Sequence, residues 1–236
     1  MRTSLKVAIE NLYTTFESYS ANPTELRAHS CSCCVNNQEI REITNKPLKE
    51  LSETVLSYYS RIAICNFGNI GHYKYFLPRL FELMSKPKSE LLEDFTCFEK
   101  LNYCEWETWP RSEQSAIEGY FEALWKTVIH DPNATSYQIN ETLNILLYYH
   151  FNEHVFIEWE NSTTSASTLS IVDNVLGGWY TRNAKSYADA LIDWLYSDAV
   201  LQKLETAFFA VRDVEIANRI SITYTILERK QEIIFN

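Results

Sequence analysis

The chain has 236 residues, 46% of them hydrophobic, with only five Gly and six Pro, and a formal net charge of −10 from 31 acidic and 21 basic side chains. The apolar share sets aside disorder, and the scarcity of turn-formers sets aside a strand-rich sandwich or barrel. The acidic balance argues against nucleic acid as a direct partner, because phosphate binding needs a basic surface, and suits a protein that meets a basic one.

The opening residues, MRTSLKVAIENLY, carry Glu10 and are too short and polar for a signal peptide. No apolar run approaches the roughly 20 residues of a membrane span. The expectation is therefore cytoplasmic, with no membrane association. Six cysteines in that setting are free thiols or metal ligands rather than a disulfide frame, and the sequons at Asn133, Asn140 and Asn161 are chance matches.

In chain order, Thr3 or Ser4 can cap a first helix whose apolar stripe is Leu5, Ile9, Leu12, Phe16 and Tyr19, ended by Pro23. Residues 22–36 read as a polar loop. Asn36 and Glu39 form a capping pair for a short helix with Ile40 and Ile43, which Pro47 breaks. Ser52 caps a helix with the face Val55, Tyr59, Ile62 and Ala63. The stretch His72–Met84 follows, apolar on nearly every side, and is the expected centre of packing, with Pro78 bending or restarting it.

Pro87 and Ser89 open a helix bearing Leu91, Phe95, Phe98 and Leu101. Pro110 starts another with Ile117, Phe121, Leu124 and Val128, stopped at Asp131-Pro132. Ser136 restarts the pattern through Ile139, Leu143, Leu146 and Leu147, running on towards Trp159. Residues 161–168, NSTTSAST, are the most linker-like stretch. Leu169, Val172, Val175 and Leu176 come next, closed by Gly177-Gly178. Helices near 183–197 (Tyr187, Leu191, Trp194, Leu195) and 199–212 (Leu201, Leu204, Phe208, Val211) precede a tail that fits a helix through Ile216, Ile220, Thr223 and Leu227, although Ile220, Ile222, Tyr224 and Ile226 also alternate as a strand would. The expectation is an all-α protein, an antiparallel array of about ten helices with some HEAT-like pairing, in a single domain over 1–236 with a loop boundary near 161–168.

Two clusters suggest chemistry. Cys31 and Cys34 form a C-x-x-C, with Cys33 and His29 beside them. One tight turn can bring two thiolates to about 2.3 Å from a zinc ion, His29 can add a third ligand, and Cys65, His72, Cys97 or Cys104 a fourth through folding. Thiol redox chemistry is the other use of this pair, though no βαβ pattern surrounds it. Second, His150-Phe-Asn-Glu153-His154 is formally H-x-x-E-H, which on a helix sets two imidazoles on one face with Glu153 as a base. There is no Gly-rich phosphate loop, G-x-S-x-G or grouped triad.

Three segments carry a resemblance. Cys31-Ser32-Cys33-Cys34-Val35 is followed by Pro47-Leu48-Lys49-Glu50-Leu51-Ser52 and then by Tyr75-Phe76-Leu77-Pro78-Arg79-Leu80-Phe81-Glu82-Leu83. In order and spacing they resemble a bacterial family of helical proteins with C-P-x-C-V, PLrxLs and HFLPRLLEL segments, and Ala207-Phe208-Phe209 and the region from Asp213 to Ile220 are similar too. Ser32 stands where the family has Pro, and Tyr75 where it has His. The resemblance implies a helical fold and a bacterial source, with no reaction attached.

The residues thus point to a non-enzymatic interaction protein, in its sharpest form an immunity-type protein that binds and neutralises a basic toxin domain. The alternative is a zinc-binding or thiol-redox protein using Cys31, Cys34 and His29. Candidate docking acids are Glu90, Glu93 and Asp94, then Glu105 and Glu107, then Glu153, Glu158 and Glu160.

Overall fold

The computed structural model describes residues 4–86, 89, 91, 96–149, 152–178 and 188–235. Among these residues the fold is all-α: thirteen α-helices, two 3₁₀ turns and no strand beyond an isolated Ala63–Phe67 bridge. The chain divides into two compact units, Met1–Leu124 and Trp125–Asn236, so the linker-like 161–168 lies inside the second. No helix among the described residues is long and apolar enough to cross a membrane.

In the first unit, α1 (Leu5–Thr15) begins where the Ser4 hydroxyl accepts the Val7 N–H, and it buries Ala8 and Leu12. Pro23 departs from expectation. It occupies the first position of a helix of its own, α2 (Pro23–Ala28), with the Asn22 side chain accepting from the Thr24 and Glu25 N–H groups. Helix α1 has already ended at Thr15, with Phe16 as its C-cap, so Pro23 does not close it; proline suits a helix start because it lacks only an N–H that the first turn leaves unpaired anyway. The Asn36–Glu39 capping box opens α3 (Asn37–Thr44), and a 3₁₀ turn at Leu48–Glu50 follows. Ser52 caps α4 (Glu53–Ile62); of the expected face Tyr59 and the capping Ala63 are buried and Val55 and Ile62 half-buried, while Leu56 and Ser60 are also inside.

Helix α5 (Ile70–Met84) is the core element. Eleven of its fifteen residues are buried, which requires cover on nearly every side, and α1 and α4 pack against it. Pro78 interrupts neither end: the helix runs through it, forgoing the donor that would have bonded the Lys74 carbonyl. Helices α6 (Thr96–Tyr103) and α7 (Arg111–His130) follow, with Leu91, Leu101, Ile117 and Phe121 buried. Pro87 and Phe95 lie outside the described residues, as does the side chain of Phe98.

Two of the buried residues of α5 are cations, and each is answered. Lys74 Nζ lies 2.6 Å from Glu113 Oε2, donates to Tyr19 Oη at 3.1 Å and stands 4.1 Å over the Trp109 ring. The Tyr19 hydroxyl donates to the other Glu113 oxygen at 2.6 Å. Arg79 donates to the Leu51 carbonyl and to Glu82, which also accepts from Tyr13. A buried charge survives only with partners of this kind.

In the second unit, a Thr135–Gln138 capping box opens α8 (Ser136–Tyr148), which stops short of the expected run to Trp159. Helix α9 (Asn152–Asn161) starts separately. Helix α10 (Ser165–Gly177) packs on α8, where Asn140 Oδ1 accepts from Ser170 and Asn174. It is closed by Gly178 in the left-handed region at φ +56°, as a C-cap glycine should be. Then come α11 (Ala188–Leu195), α12 (Asp198–Ala210) and α13 (Val214–Phe235). Tyr187 lies outside the described residues. The tail takes the helical alternative, with Ile220, Thr223 and Leu227 buried at helical spacing. Trp159 stacks on Trp194 at 4.5 Å and meets Trp125 edge-on at 5.8 Å.

The stretch 161–168 is not a free linker. Ser162 and Thr164 both donate to the Ile129 carbonyl at the end of α7, and Trp159 Nε1 donates to the Ser167 carbonyl. Ser162 and Ser167 are fully buried. Short hydroxyl side chains reach the orphan carbonyls of a helix end, so a composition that suits a flexible loop also suits a buried polar plug.

Candidate functional site

The thiol loop is built from the residues of α2 outward. Arg27, in the last turn of α2, donates one guanidinium nitrogen to the Ser30 carbonyl and another to the Val35 carbonyl, tying both ends of the loop together. Val35 is buried and anchors the far end. Within the loop, the Cys34 and Val35 N–H groups both donate to the Cys31 carbonyl. From outside, the Cys31 N–H donates to the Asn66 carbonyl at 2.8 Å and the Tyr58 hydroxyl donates to the Cys34 carbonyl at 2.6 Å.

The neighbouring 63–68 segment is itself tightly shaped. Ile64 sits at φ +70°, a left-handed conformation that a β-branched residue rarely adopts. Gly68 has φ +77°, and a Cβ there would come within 2.9 Å of Leu26 Cδ1 and 3.1 Å of His72 Cβ. Its N–H donates to Ser30 Oγ.

This scaffold gathers three sulfurs. Cys31 Sγ is 2.9 Å from Cys33 Sγ, Cys33 Sγ is 3.7 Å from Cys34 Sγ, and all three lie within 4.8 Å of one another. Cys33 and Cys34 are exposed and Cys31 half-buried. The hydrogen bond from the Cys33 thiol, with further help from the Cys33 and Cys34 backbone and the Cys34 thiol, lowers the Cys31 pKa to about 7. Cys34 is pushed the other way, to about 11, because its proton is held by Cys31 and then Cys33. A thiol that ionises more readily than usual thus sits beside one that keeps its proton at neutral pH.

Among the described residues no fourth His, Cys, Asp or Glu joins this close group. His29 turns its ring towards His72, 5.9 Å between centroids. His72 Nδ1 accepts the Asn69 N–H in the capping box of α5, which leaves the ring proton on Nε2. Burial, then the nearby His29, lowers the His72 pKa. Cys65 is exposed and accepts a contact from Lys100 Nζ at 3.6 Å, and burial pushes the Cys104 thiol up to about 12. The side chain of Cys97 lies outside the described residues. The C-x-x-C spacing thus picked out two of the three sulfurs. Cys33, which completes them, was visible in the sequence only as a neighbour.

Of the H-x-x-E-H cluster, His154 is exposed on α9, while His150 and the side chain of Glu153 lie outside the described residues. The candidate docking acids divide. Glu105 and Glu107 are exposed and form no ion pair among the described residues. Glu158 is engaged by Lys126 and His130, and Glu160 accepts from Trp194 Nε1 at 2.7 Å. Glu90, Glu93 and Asp94 lie outside the described residues.

The second unit carries two features that sequence patterns did not single out. A groove of ≈ 500 Å³ runs beside α12, lined by Glu160, Ser162, Thr163, Lys203 and Thr206. Lys203 reaches across it to the Ser162 carbonyl, and burial lowers its pKa to about 8. At the far end of α12, Phe208 and Phe209 stand outside, ring centroids 5.4 Å apart. Phe209 is 79% exposed and Val214, across the turn, 72%. The expected inward face of Leu201, Leu204, Phe208 and Val211 is therefore corrected: Leu204 is buried with Val200, and Phe208 is exposed. The helical period is right, but residues 208–210 in the last turn of α12 are exposed.

Fold and site together define an all-α protein with a three-thiol loop in one unit and an exposed apolar turn in the other. Comparison with family models, curated proteins and solved structures finds no match.

Proposed function

We propose that this is a non-enzymatic binding protein of the immunity type, whose partner is a basic toxin domain produced in the same bacterium and neutralised in the cytoplasm. The observation that carries the reading is the turn between α12 and α13. Phe208, Phe209 and Val214 are exposed there, with Asp213 and Glu215 alongside. An apolar centre with a charged rim is the usual anatomy of a protein–protein interface, and aromatic residues are its commonest anchors. The net charge of −10 selects for a partner of opposite sign.

The test is co-expression with a panel of basic toxin domains. The expected result is rescue of growth against one of them, with association weakened about 10-fold or more by Phe209→Ala while the helical spectrum is unchanged. Failure to protect against any member of a broad panel overturns the reading.

A further inference from the structure

We infer that Cys31, Cys33 and Cys34 form a three-coordinate thiolate site for a soft monovalent cation, copper(I). Three sulfurs converge, and among the described residues no His, Asp or Glu joins them. Structural zinc is almost always held by four ligands in a closed tetrahedron, whereas all-sulfur sets suit the softer copper(I). His29, the imidazole nearest in sequence, faces His72 instead.

Geometry agrees with the chemistry. Three sulfurs placed about 2.3 Å from one ion in a plane stand roughly 4 Å apart. The observed separations, 2.9 and 3.7 Å with none beyond 4.8 Å, bracket that spacing. The backbone beneath is already held by Arg27, Tyr58 and the Asn66 carbonyl, so little ordering is left for the ion to impose. The Arg27 guanidinium, tied to both ends of the loop, also offsets part of the negative charge of a thiolate cluster. Exposure of Cys33 and Cys34 gives an ion access from solvent.

Binding is a proton exchange. The ion bonds to three thiolate sulfurs, and the thiol protons still present at neutral pH leave to the solvent. No change of oxidation state is involved. The site lies in the first unit and owes nothing to the exposed turn at Phe209, so it stands or falls independently of partner binding.

The experiment offers the reduced full-length protein copper(I) as its bicinchoninate complex under anaerobic conditions and follows the loss of the chelator's colour. The expected result is withdrawal of one equivalent. Cys33→Ser and Cys34→Ser should each weaken binding by about 10-fold or more, while His29→Ala and Cys65→Ser leave it unchanged. Cys33 is exposed, so its variant should keep the wild-type circular dichroism spectrum, which is recorded alongside. Three results overturn the inference: no withdrawal of copper(I), binding undiminished by Cys33→Ser, or one equivalent of tightly held zinc that is lost in His29→Ala.

Discussion

His72 shows how one ring links the core helix to pH. Its Nδ1 must be unprotonated to accept the Asn69 N–H and complete the cap of α5. A cation at a helix N-terminus is also disfavoured by the helix dipole. The folded pKa lies below the ordinary value, first through burial and then through His29, so the unfolded chain takes up the proton more readily. Stability from this group is therefore complete above about pH 6.5 and declines as pH falls through the lowered folded value. Urea midpoints measured from pH 7.5 down to 5.5 should fall, and His72→Gln, which keeps an accepting side chain without the titration, should flatten the slope. Gly68 gives a sharper case. Its left-handed φ strains any side chain, and a Cβ would press on Leu26 Cδ1 and His72 Cβ, so Gly68→Ala should lose about 2 kcal/mol in denaturant unfolding.

At the scale of elements, much of the first unit could be read from its caps and stripes. Ser4, Asn36 with Glu39, and Ser52 all start helices, because short polar side chains reach N–H groups that nothing else can satisfy. The apolar surround of α5 likewise announced a buried helix. Other features were not legible. Pro23 reads the same whether it ends a helix or begins one, and the hydroxyls of 161–168 read as solvent-loving although the structure spends them on the end of α7. Least visible was the Lys74–Glu113 pair, since charge partners 39 residues apart leave no local pattern. Both side chains are almost wholly buried. Glu113→Ala, which strands the ammonium, should cost about 3–5 kcal/mol, while the double variant Lys74→Met, Glu113→Leu should lose clearly less. Urea titrations of both variants against wild type decide the point.

For the whole molecule, the acidic excess and the all-helical class were the most secure readings, because composition sums over every residue. Which acids stand ready for a partner was not, since Glu158 and Glu160 turn out to be occupied within their own unit. Glu105 and Glu107 remain exposed. For the basic partner proposed above, association should slow markedly between about 50 mM and about 500 mM salt while dissociation changes little, because screening removes long-range steering before it touches apolar contact. Stopped-flow measurement at the two ionic strengths separates the rates, and equal on-rates would remove charge from the account of partner choice.

The groove beside α12 has a practical corollary for anyone tagging the molecule. An amine with a pKa near 8 is partly unprotonated at pH 7.5, whereas an ordinary lysine there is almost wholly an ammonium ion. A limiting dose of a small acylating reagent should therefore mark Lys203 ahead of the other lysines, and peptide mass spectrometry would locate the adduct. Once acylated, that side chain can no longer serve the Ser162 carbonyl as a cation, so a single small tag would loosen the knot of hydroxyls that closes α7.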